Sequence, residues 1–296
     1  MPHHIIALGE ILWDVFPDGP RFGGAPANFG CSASELAQAN ARVTMVSAVG
    51  DDGPGRDAFD ALAARGVSTA AVQINDFPTG RVDVTLNSAG AASYRFAEDC
   101  AWDHLAWSSD LQGLAGRCDA VCFGTLGQRG PQSRTTIQSF LQSTPDSALR
   151  ILDVNIREPF VSDELILTSL SLANVLKLND EELPVLARLC DLSGSDVDIL
   201  RQMASRFALR CVALTRGPDG AVIVSQNGLS DLPGTRVDVV DTVGAGDAFT
   251  ASMTLGLLDG YPPETINRNA MATAAYVCAQ PGATTPFPID IRNPTT

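Results

Sequence analysis

The sequence predicts an α/β fold in which a mostly parallel central sheet is covered by helices on both faces and a small second sheet stands beside it. Three observations support this. The 296 residues can bury a large core, and strand-like and helix-like segments alternate along most of the chain. One interval, residues 70–96, contains strand-like segments without a helix among them. We therefore expect residues 1–296 to form one domain.

The alternation of apolar runs defines the central sheet. Strands are predicted at 4–9, 43–49, 119–123, 150–154, 174–178, 210–215 and 221–225. Helices are predicted at 26–39, 55–65, 132–142, 163–171, 180–189 and 195–207. Because helical stretches of this length separate the strands, the sheet is expected to be mostly parallel.

The small sheet is predicted from residues 11–22 and 70–104. The second interval contains three strand-like pieces: 70–74, 80–87 and 92–97. Polar and apolar side chains alternate in residues 81–86, as they do in a half-exposed strand. Such a sheet is expected to act as a lid, and its apolar face is also expected to form the interface of a homodimer.

The charge balance excludes several classes of partner. The chain has 20 basic and 34 acidic side chains, a net charge of −14. An acidic surface repels nucleic acid and anionic lipid, so neither is an expected partner. Any polyanion must be held by a few local donors instead.

The remaining composition predicts a reduced cytoplasmic protein. The apolar run at residues 5–8 is too short for a secretory signal, and no stretch approaches the ~20 apolar residues of a membrane span. None of the seven cysteines stands in a Cys-x-x-Cys pair. Three histidines nearly exclude a histidine-rich metal site or a His-based triad.

The strongest motif is DTVGAGDAF at residues 241–249, which follows a strand-like run at 237–240 and opens an apolar helix. Glycine and alanine at a helix start leave backbone N–H groups open to a phosphate, which the helix dipole also favours. Asp247 would stand beside that anion, where a carboxylate can accept a proton from an attacking hydroxyl. The alternative is a capped helix, with Asp241 or Thr242 as the N-cap.

A second motif, GGAPAN, occupies residues 23–28. Its paired glycines lead into a helix with Pro26 near the first turn, which is a helix-start signal. The amide of Asn28 can both donate to and accept from a hydroxylated ligand. A loop-to-helix junction with nothing bound is the alternative interpretation.

A dinucleotide-binding loop is a weaker interpretation of residues 53–58, which fit a loose G-x-G-x-x-A pattern. Asp51 and Asp52 would repel a pyrophosphate, and Pro54 removes a backbone donor. A G-x-x-x-x-G-K-[ST] phosphate loop is absent from the sequence. These points favour phosphate binding at helix starts.

GGAPAN and DTVGAGDAF, in this order and about 220 residues apart, resemble the two signatures of the ribokinase-like (PfkB) sugar kinases. The resemblance covers essentially the whole chain. Ala25-Pro26 resembles bacterial fructokinases, whereas ribokinases more often carry Lys-Gly there. The resemblance implies a ribokinase-like fold with a β lid, and transfer of the ATP γ-phosphoryl group to a sugar hydroxyl, most of all that of fructose. It also implies Mg²⁺ and, in some members, K⁺.

The resemblance further implies roles for individual residues. Asp247 matches the catalytic base, and Gly244, Ala245 and Gly246 match the anion hole. The sugar contacts are matched by Asp14, Gly24 and Asn28.

The nucleotide side of the site follows from the same resemblance. Asn179 and Glu182 match an Asn-x-x-Glu motif that supports magnesium and phosphate, Glu182 acting through water. Arg157 resembles an arginine that fructokinases place near the phosphates. The resemblance assigns the nucleotide loop to Thr215, Gly217 and Gly220, and a candidate potassium ligand to Asp241.

Each of these motifs also has a structural interpretation. Asp14 can close a turn, and Asn179 to Glu182 can be a helix cap. Thr215 to Gly220 can be a hairpin turn, and Arg157 can be a surface ion-pair partner.

Two other functions stay open on the sequence. One is a kinase for ribose, a nucleoside or 2-keto-3-deoxygluconate. The other is a non-catalytic relative that binds a sugar or a nucleotide. The mark of such a relative would be loss of the base or anion hole, but Asp247, Gly244 and Gly246 are all present.

Overall fold

Two sheets and ten helices form the molecule in the computed structural model, which describes residues 2–86 and 92–293. The strands in this part of the chain are β1 (His3–Leu8), β2 (Leu12–Phe16), β3 (Gly19–Gly23), β4 (Ala41–Gly50), β5 (Ser68–Asn75), β6 (Gly80–Leu86), β7 (Ala92–Phe96), β8 (Ala120–Phe123), β9 (Leu149–Asp153), β10 (Val175–Asn179), β11 (Cys211–Thr215), β12 (Ala221–Ser225) and β13 (Gly228–Leu232). The helices are α1 (Ala25–Ala37), α2 (Gly53–Ala64), α3 (Ser109–Ala115), α4 (Pro131–Gln142), α5 (Asp163–Leu172), α6 (Leu183–Leu189), α7 (Asp196–Arg206), α8 (Ala245–Leu258), α9 (Pro263–Cys278) and α10 (Ile289–Arg292).

The large sheet has the strand order β13-β12-β11-β10-β9-β8-β1-β4-β5. Every pair from β11 to β5 is parallel, and only β12 and β13 at one edge are antiparallel. The predicted α/β fold with a mostly parallel sheet is therefore confirmed. Parallel strands place their carboxyl ends, and the loops that follow them, along one edge of the sheet.

Helices cover both faces of this sheet, because alternate side chains of each strand point to opposite faces. Ile6 and Leu8 join a core packed by helices α3 to α7, whereas Ile5 and Ala7 join a core packed by α1, α2, α8 and α9. All four side chains are fully buried.

The small sheet has the order β3-β2-β6-β7. We call these four strands the lid. Strand β2 pairs antiparallel with β3 and parallel with β6, and β6 pairs antiparallel with β7. The lid rests on the body through a separate apolar cluster that includes Leu12, Val82, Trp102 and Leu126.

One predicted lid strand is wrong. Residues 70–74 belong to β5, which pairs in parallel with β4 at the edge of the large sheet. Most side chains of this edge strand are half-buried, so its sequence resembles that of a half-exposed lid strand. The predicted lid interval ran to residue 104, whereas the last lid strand ends at Phe96 and Ala101–His104 form a 3₁₀ turn.

The strand-like run at 237–240 is a second wrong prediction. These valine-rich residues form no strand, and Val239 and Val240 are 63% and 62% exposed. Backbone N–H groups of Val240 and Asp241 donate to the Cys278 carbonyl at the end of α9. The run passes a helix end instead of a sheet edge, so its β propensity has no strand to pair with.

The start of α2, which resembled a dinucleotide loop, is occupied by the side chain of Asp52. Its Oδ1 accepts from Gly55 N at 2.7 Å, and its Oδ2 accepts from Thr79 N at 2.9 Å. Thr79 immediately precedes β6, so this carboxylate ties α2 to the base of the lid. The helix start is filled from within the chain, which fits the rejection of a dinucleotide site.

Within the described residues, no helix is long and apolar enough to cross a membrane.

Candidate active site

A pocket lies at the carboxyl edge of the large sheet, where several predicted residues meet. It is lined by residues that follow β1, β8 and β9 and by the starts of α1 and α8, among them Glu10, Pro26, Asp153 and Asp247. In parallel α/β sheets, ligands bind at this edge.

The start of α8 is shaped by Gly244. Its φ of 79° is left-handed, and a Cβ there would lie 2.6 Å from the Ala283 carbonyl oxygen, so only glycine fits. Gly244 is also the N-cap, and no side chain caps the helix. The predicted alternative, a helix capped by Asp241 or Thr242, is therefore wrong. The first N–H groups of α8 receive no side-chain cap, as an anion hole requires.

Asp247 and Asn28 join the two motifs. Asn28 Nδ2 donates to Asp247 Oδ2 at 2.9 Å, although the residues stand 219 positions apart. Asn28 is 4% exposed, and its Oδ1 has no hydrogen-bond partner among the described residues. The amide thus orients the carboxylate and retains one buried acceptor for a ligand.

The surroundings of Asp247 change its proton affinity. Burial, and next the charge of Asp153, raise the pKa of Asp247 to about 7, against the opposing effects of Asn28, Lys177 and Arg157. A carboxyl group with this pKa exchanges a proton near neutral pH. General bases are poised in this range.

A buried ion pair lies next to this carboxylate. Lys177 Nζ is 3.1 Å from Asp153 Oδ1, and both side chains are 8% exposed. The charges of Asp153, Glu182 and Asp247 raise the pKa of Lys177 despite its burial, so the amine is charged.

Glu10 is a second carboxyl group in the pocket. It is 2% exposed, and its Oε2 has no hydrogen-bond partner among the described residues. Burial, followed by smaller effects that include the charge of Asp247, raises the pKa of Glu10 to about 7.

The lid contributes Asp14 to the site. Burial raises the pKa of Asp14 to about 6, against the charges of Arg157 and Arg21. Gly23 gives it room, since a Cβ there would lie 2.7 Å from Asp14 Oδ2. Gly24 has a φ of 105°, and its Cβ position lies 2.6 Å from the Glu10 carbonyl oxygen, so this position requires glycine for the backbone of the loop. Asp14 belongs to β2, so it does not close the turn that the alternative interpretation assigned to it.

Arg157 is exposed and follows β9 by four residues. Its guanidinium donates only to the Ile156 carbonyl, at 3.1 Å, among the described residues. Its positive charge lowers the pKa of Asp14 and Asp247 after the larger effect of burial, which raises both. Arg157 forms no ion pair with the described residues, so the surface ion-pair interpretation has no support.

Asn179 and Glu182 bind each other reciprocally. Glu182 N donates to Asn179 Oδ1, and Asn179 N donates to Glu182 Oε2, both at 2.9 Å. Glu182 Oε1 accepts from Ile156 N at 2.9 Å. These bonds close a turn ahead of α6, whose N-cap is Glu182 and which has no side-chain cap, so the helix-cap interpretation does not describe the geometry. The Glu182 carboxylate also holds the loop that carries Arg157.

Thr215 lies beside Asn179 in the register of β10 and β11. The following residues form the turn of the β11–β12 hairpin, as the structural interpretation expected. A Cβ at Gly220 would lie 2.0 Å from the Leu232 carbonyl oxygen, whereas one at Gly217 would meet nothing within 4 Å. Gly220 therefore serves the turn, and the surface at Gly217 is open.

Asp241 holds the loop before α8. Its Oδ1 accepts from Val243 N at 3.0 Å and its Oδ2 from Gly282 N at 3.2 Å. Arg21 Nη1 of the lid lies 3.9 Å from the same carboxylate. A nearby guanidinium and two backbone donors make this group a poor ligand for K⁺.

The sequence interpretation missed Glu10, Asp153 and Lys177. Lys177 carried a usable signal, because it stands in the apolar run Val-Leu-Lys-Leu of a predicted buried strand, where a charge must be paired. Glu10 and Asp153 stand at the ends of predicted strands, where parallel sheets place functional side chains.

No cluster of three or more His, Cys, Asp or Glu side chains suited to a metal occurs in residues 2–86 and 92–293. A magnesium ion held mainly by nucleotide phosphates needs only one or two protein carboxylates. Both oxygens of Glu182 accept backbone N–H groups, and its contact with magnesium through water stays a prediction.

Comparison with known proteins identifies the chain's relatives. The profile of the pfkB family of carbohydrate kinases matches residues 19–290. A fructokinase of Klebsiella pneumoniae is 30% identical over 268 residues, which cover 86% of this chain and 84% of the relative. A fructokinase of Salmonella typhimurium is 28% identical over 285 residues, or 92% and 90% of the two chains.

A solved structure has the same architecture. A sugar kinase from Pyrococcus horikoshii in complex with ATP superimposes with a TM-score of 0.79 at 26% identity, covering 95% of this chain and 94% of that one. The ribokinase-like fold predicted from the motifs is confirmed.

Proposed function

The chain belongs to the PfkB family of carbohydrate kinases and is an ATP-dependent sugar kinase, and we propose that its acceptor is fructose. The observation that carries the mechanism is the meeting of Asp247 with Asn28 at the uncapped start of α8. The choice of fructose rests on Ala25-Pro26 and on similarity to fructokinases at about 28–30% identity.

Asp247 acts as the general base in this proposal. An acceptor hydroxyl lies against its carboxylate, loses its proton to it, and its oxygen forms a bond to the γ-phosphorus as the bond to ADP breaks. The pKa of about 7 keeps a large fraction of Asp247 ionised at neutral pH while leaving it basic enough to accept the proton.

Backbone donors stabilise the transferring phosphoryl group. In this proposal the N–H groups of Gly244, Ala245 and Gly246 bind the phosphoryl oxygens, Ala245 exchanging its 3.3 Å bond to the Thr242 carbonyl for one to the anion, and the dipole of α8 adds to their effect. The exposed Arg157 guanidinium supplies a positive charge that balances charge on the phosphoryl oxygens.

The acceptor is oriented from both sides of the pocket. Asp14 of the lid and Asn28 of the body hydrogen-bond sugar hydroxyls, and Gly24 lets the backbone approach the sugar. Support comes from the half-buried Asp14 carboxyl group and the unpaired Asn28 Oδ1. Closure of the lid excludes water, which otherwise competes with the sugar for the phosphoryl group.

ATP lies along the neighbouring loops. Thr215, Gly217 and Gly220 border the nucleotide, Gly217 with its open surface. Asn179 and Glu182 stand where they can support magnesium-bound water and phosphate. Magnesium would supply neutralisation of the phosphate charge. The contacts of Asp241 do not fit potassium, so K⁺ has no place in this proposal.

An acceptor panel tests the proposal. Purified protein with ATP and Mg²⁺ is assayed for ADP release with fructose, ribose, glucose, 2-keto-3-deoxygluconate and nucleosides. We expect the highest kcat/KM with fructose. A tenfold higher kcat/KM with another acceptor would replace fructose as the proposed substrate but leave the kinase activity in place. If none of the acceptors supports ADP release, the proposed function is contradicted.

A further inference from the structure

The Lys177–Asp153 ion pair has no role in the mechanism above, yet it is built into the floor of the pocket. Both side chains are 8% exposed, and their charged atoms are 3.1 Å apart. Burying two charges is expensive, and an apolar pair of similar size is often at least as stable. Stability alone therefore does not explain why this pair is buried here.

A hydroxyl group connects the pair to the first turn of α8. Thr250 Oγ1 lies 2.9 Å from Asp153 Oδ2 and 2.9 Å from the Gly246 carbonyl oxygen. Thr250 itself is fully buried. The position of Asp153 is thus fixed relative to the turn that carries Asp247.

The amine of Lys177 lies directly against the same turn. A Cβ built on Gly246 would be 3.0 Å from Lys177 Nζ. Glycine at this position therefore lets a positive charge approach the backbone that forms the anion hole. The pair presents its negative end toward Thr250 and its positive end toward Gly246.

We propose that Lys177 and Asp153 are positioning residues for phosphoryl transfer: the pair anchors the first turn of α8 through Thr250 and Gly246, and its two opposite charges act on Asp247 and on the phosphoryl group at that turn. The inference rests on the proposed role of Asp247 and adds residues that set its strength. It does not depend on which sugar is the acceptor.

The charges that face Asp247 support opposite roles for the two partners. After burial, Asp153 on β9 is the largest influence that raises the pKa of Asp247, whereas Lys177 on β10 and Arg157 after β9 lower it. Glu10 faces Asp247 from the loop after β1, with its own proton affinity raised. Removing the charge of Asp153 should therefore lower the pKa of Asp247, and removing the charge of Lys177 should raise it.

The test is the pH dependence of kcat/KM for the acceptor between pH 5 and 9 at saturating Mg-ATP. Activity falls below the pKa of Asp247, because the protonated base cannot accept a proton. Asp153→Asn should move the midpoint of this fall to lower pH, and Lys177→Met should move it to higher pH, each on the order of one unit. A pair that serves stability alone would leave both midpoints in place.

A double variant guards against a failure to fold. Asp153→Asn with Lys177→Met leaves no unpaired buried charge, and its midpoint should fall between those of the single variants. If Lys177→Met alone does not fold, the pH midpoint of the double variant must still be higher than that of Asp153→Asn. Midpoints that are unchanged, or that move in the same direction, would overturn the inference.

The control is the other buried ion pair. Arg129 and Asp103 are 8% and 10% exposed and lie beneath the lid, where the Arg129 guanidinium stacks 4.5 Å from the Trp102 ring centroid. Asp103→Asn should lower stability without moving the midpoint. Loss of activity in Asp247→Asn, measured in parallel, separates this inference from the proposed function: if that variant stays active, the base itself is wrongly assigned.

Discussion

The body and the lid supply the site with charges of different kinds. In the body, Lys177 and Asp153 are 8% exposed and held by fixed partners. In the lid, Arg21 is 46% exposed, reaching Asp18 at 2.9 Å and Asp241 at 3.9 Å. Asp14, on the neighbouring strand, is half-buried.

This contrast indicates a division of labour. Buried, preorganised charges cost no reorganisation during a reaction and therefore suit the chemical step. Half-exposed groups on a small sheet can form and break contacts as the acceptor enters and leaves, so they suit recognition. Substitutions of the buried charges of the body should accordingly lower kcat, and substitutions of the half-exposed polar groups of the lid should lower kcat/KM for the sugar.

The largest expected effect is that of Asp247→Asn in the body. Asparagine keeps the shape but cannot accept the acceptor proton, so kcat should fall by a factor of about 10²–10⁴. Steady-state kinetics measure this loss. Asp259→Asn at the other end of α8 is the matched control and should keep its activity.

The thermal stability of Asp247→Asn should increase, although its kcat falls. Because the folded state raises the pKa of Asp247 to about 7, ionising this group costs stability as pH rises from its unfolded pKa through 7. Asp247→Asn should therefore melt at a higher temperature than the parent at pH 8 and gain less at pH 5. A kcat within a few-fold of the parent would show that the body does not supply the base.

Asp14→Ala should have a smaller and more selective effect, since it removes a lid contact. A hydrogen bond to a charged group contributes about 1.5–3 kcal/mol, so kcat/KM for the sugar should fall by roughly 10- to 150-fold while KM for ATP stays unchanged. Asp18→Ala, on the same hairpin and 69% exposed, is the control. Equal losses for the sugar and for ATP would break the division between lid and body.

The smallest expected effect on catalysis concerns association of two lids. The homodimer stays a prediction, and the described part of the lid exposes one large apolar side chain, Tyr94, at 55%. Light scattering at micromolar concentration should give the mass of a dimer. A fully active monomer would contradict the predicted dimer, but it would not affect the roles proposed for the body and the lid.

The sequence predicted the body better than the lid. The parallel strands and the helices between them follow from long apolar runs with clear periodicity, and the observed bounds differ from the predicted ones by at most three residues. Short half-exposed strands have weaker patterns, so β5 was placed in the wrong sheet. The run at 237–240 shows that β propensity does not create a strand without a partner.

Within the site, the two sequence motifs predicted Asp247 and Asn28, whereas the other buried polar residues are recognised only from the packing in the structure. Asp247 and Asn28 were predicted from their positions at two helix starts, and their 2.9 Å contact joins them. The burial of Glu10 and the ion pair of Asp153 with Lys177 depend on neighbours distant in sequence. A single sequence does not state those distances.

The most direct test of the division between body and lid is the affinity for the preferred sugar, measured by calorimetry in the presence of Mg-ADP. Asp247→Asn should bind the sugar within a few-fold of the parent despite its lost turnover, because the base acts mainly in the transition state. Asp14→Ala should bind it roughly 10- to 150-fold more weakly. The reverse pattern, weak binding by Asp247→Asn and unchanged binding by Asp14→Ala, would contradict the account.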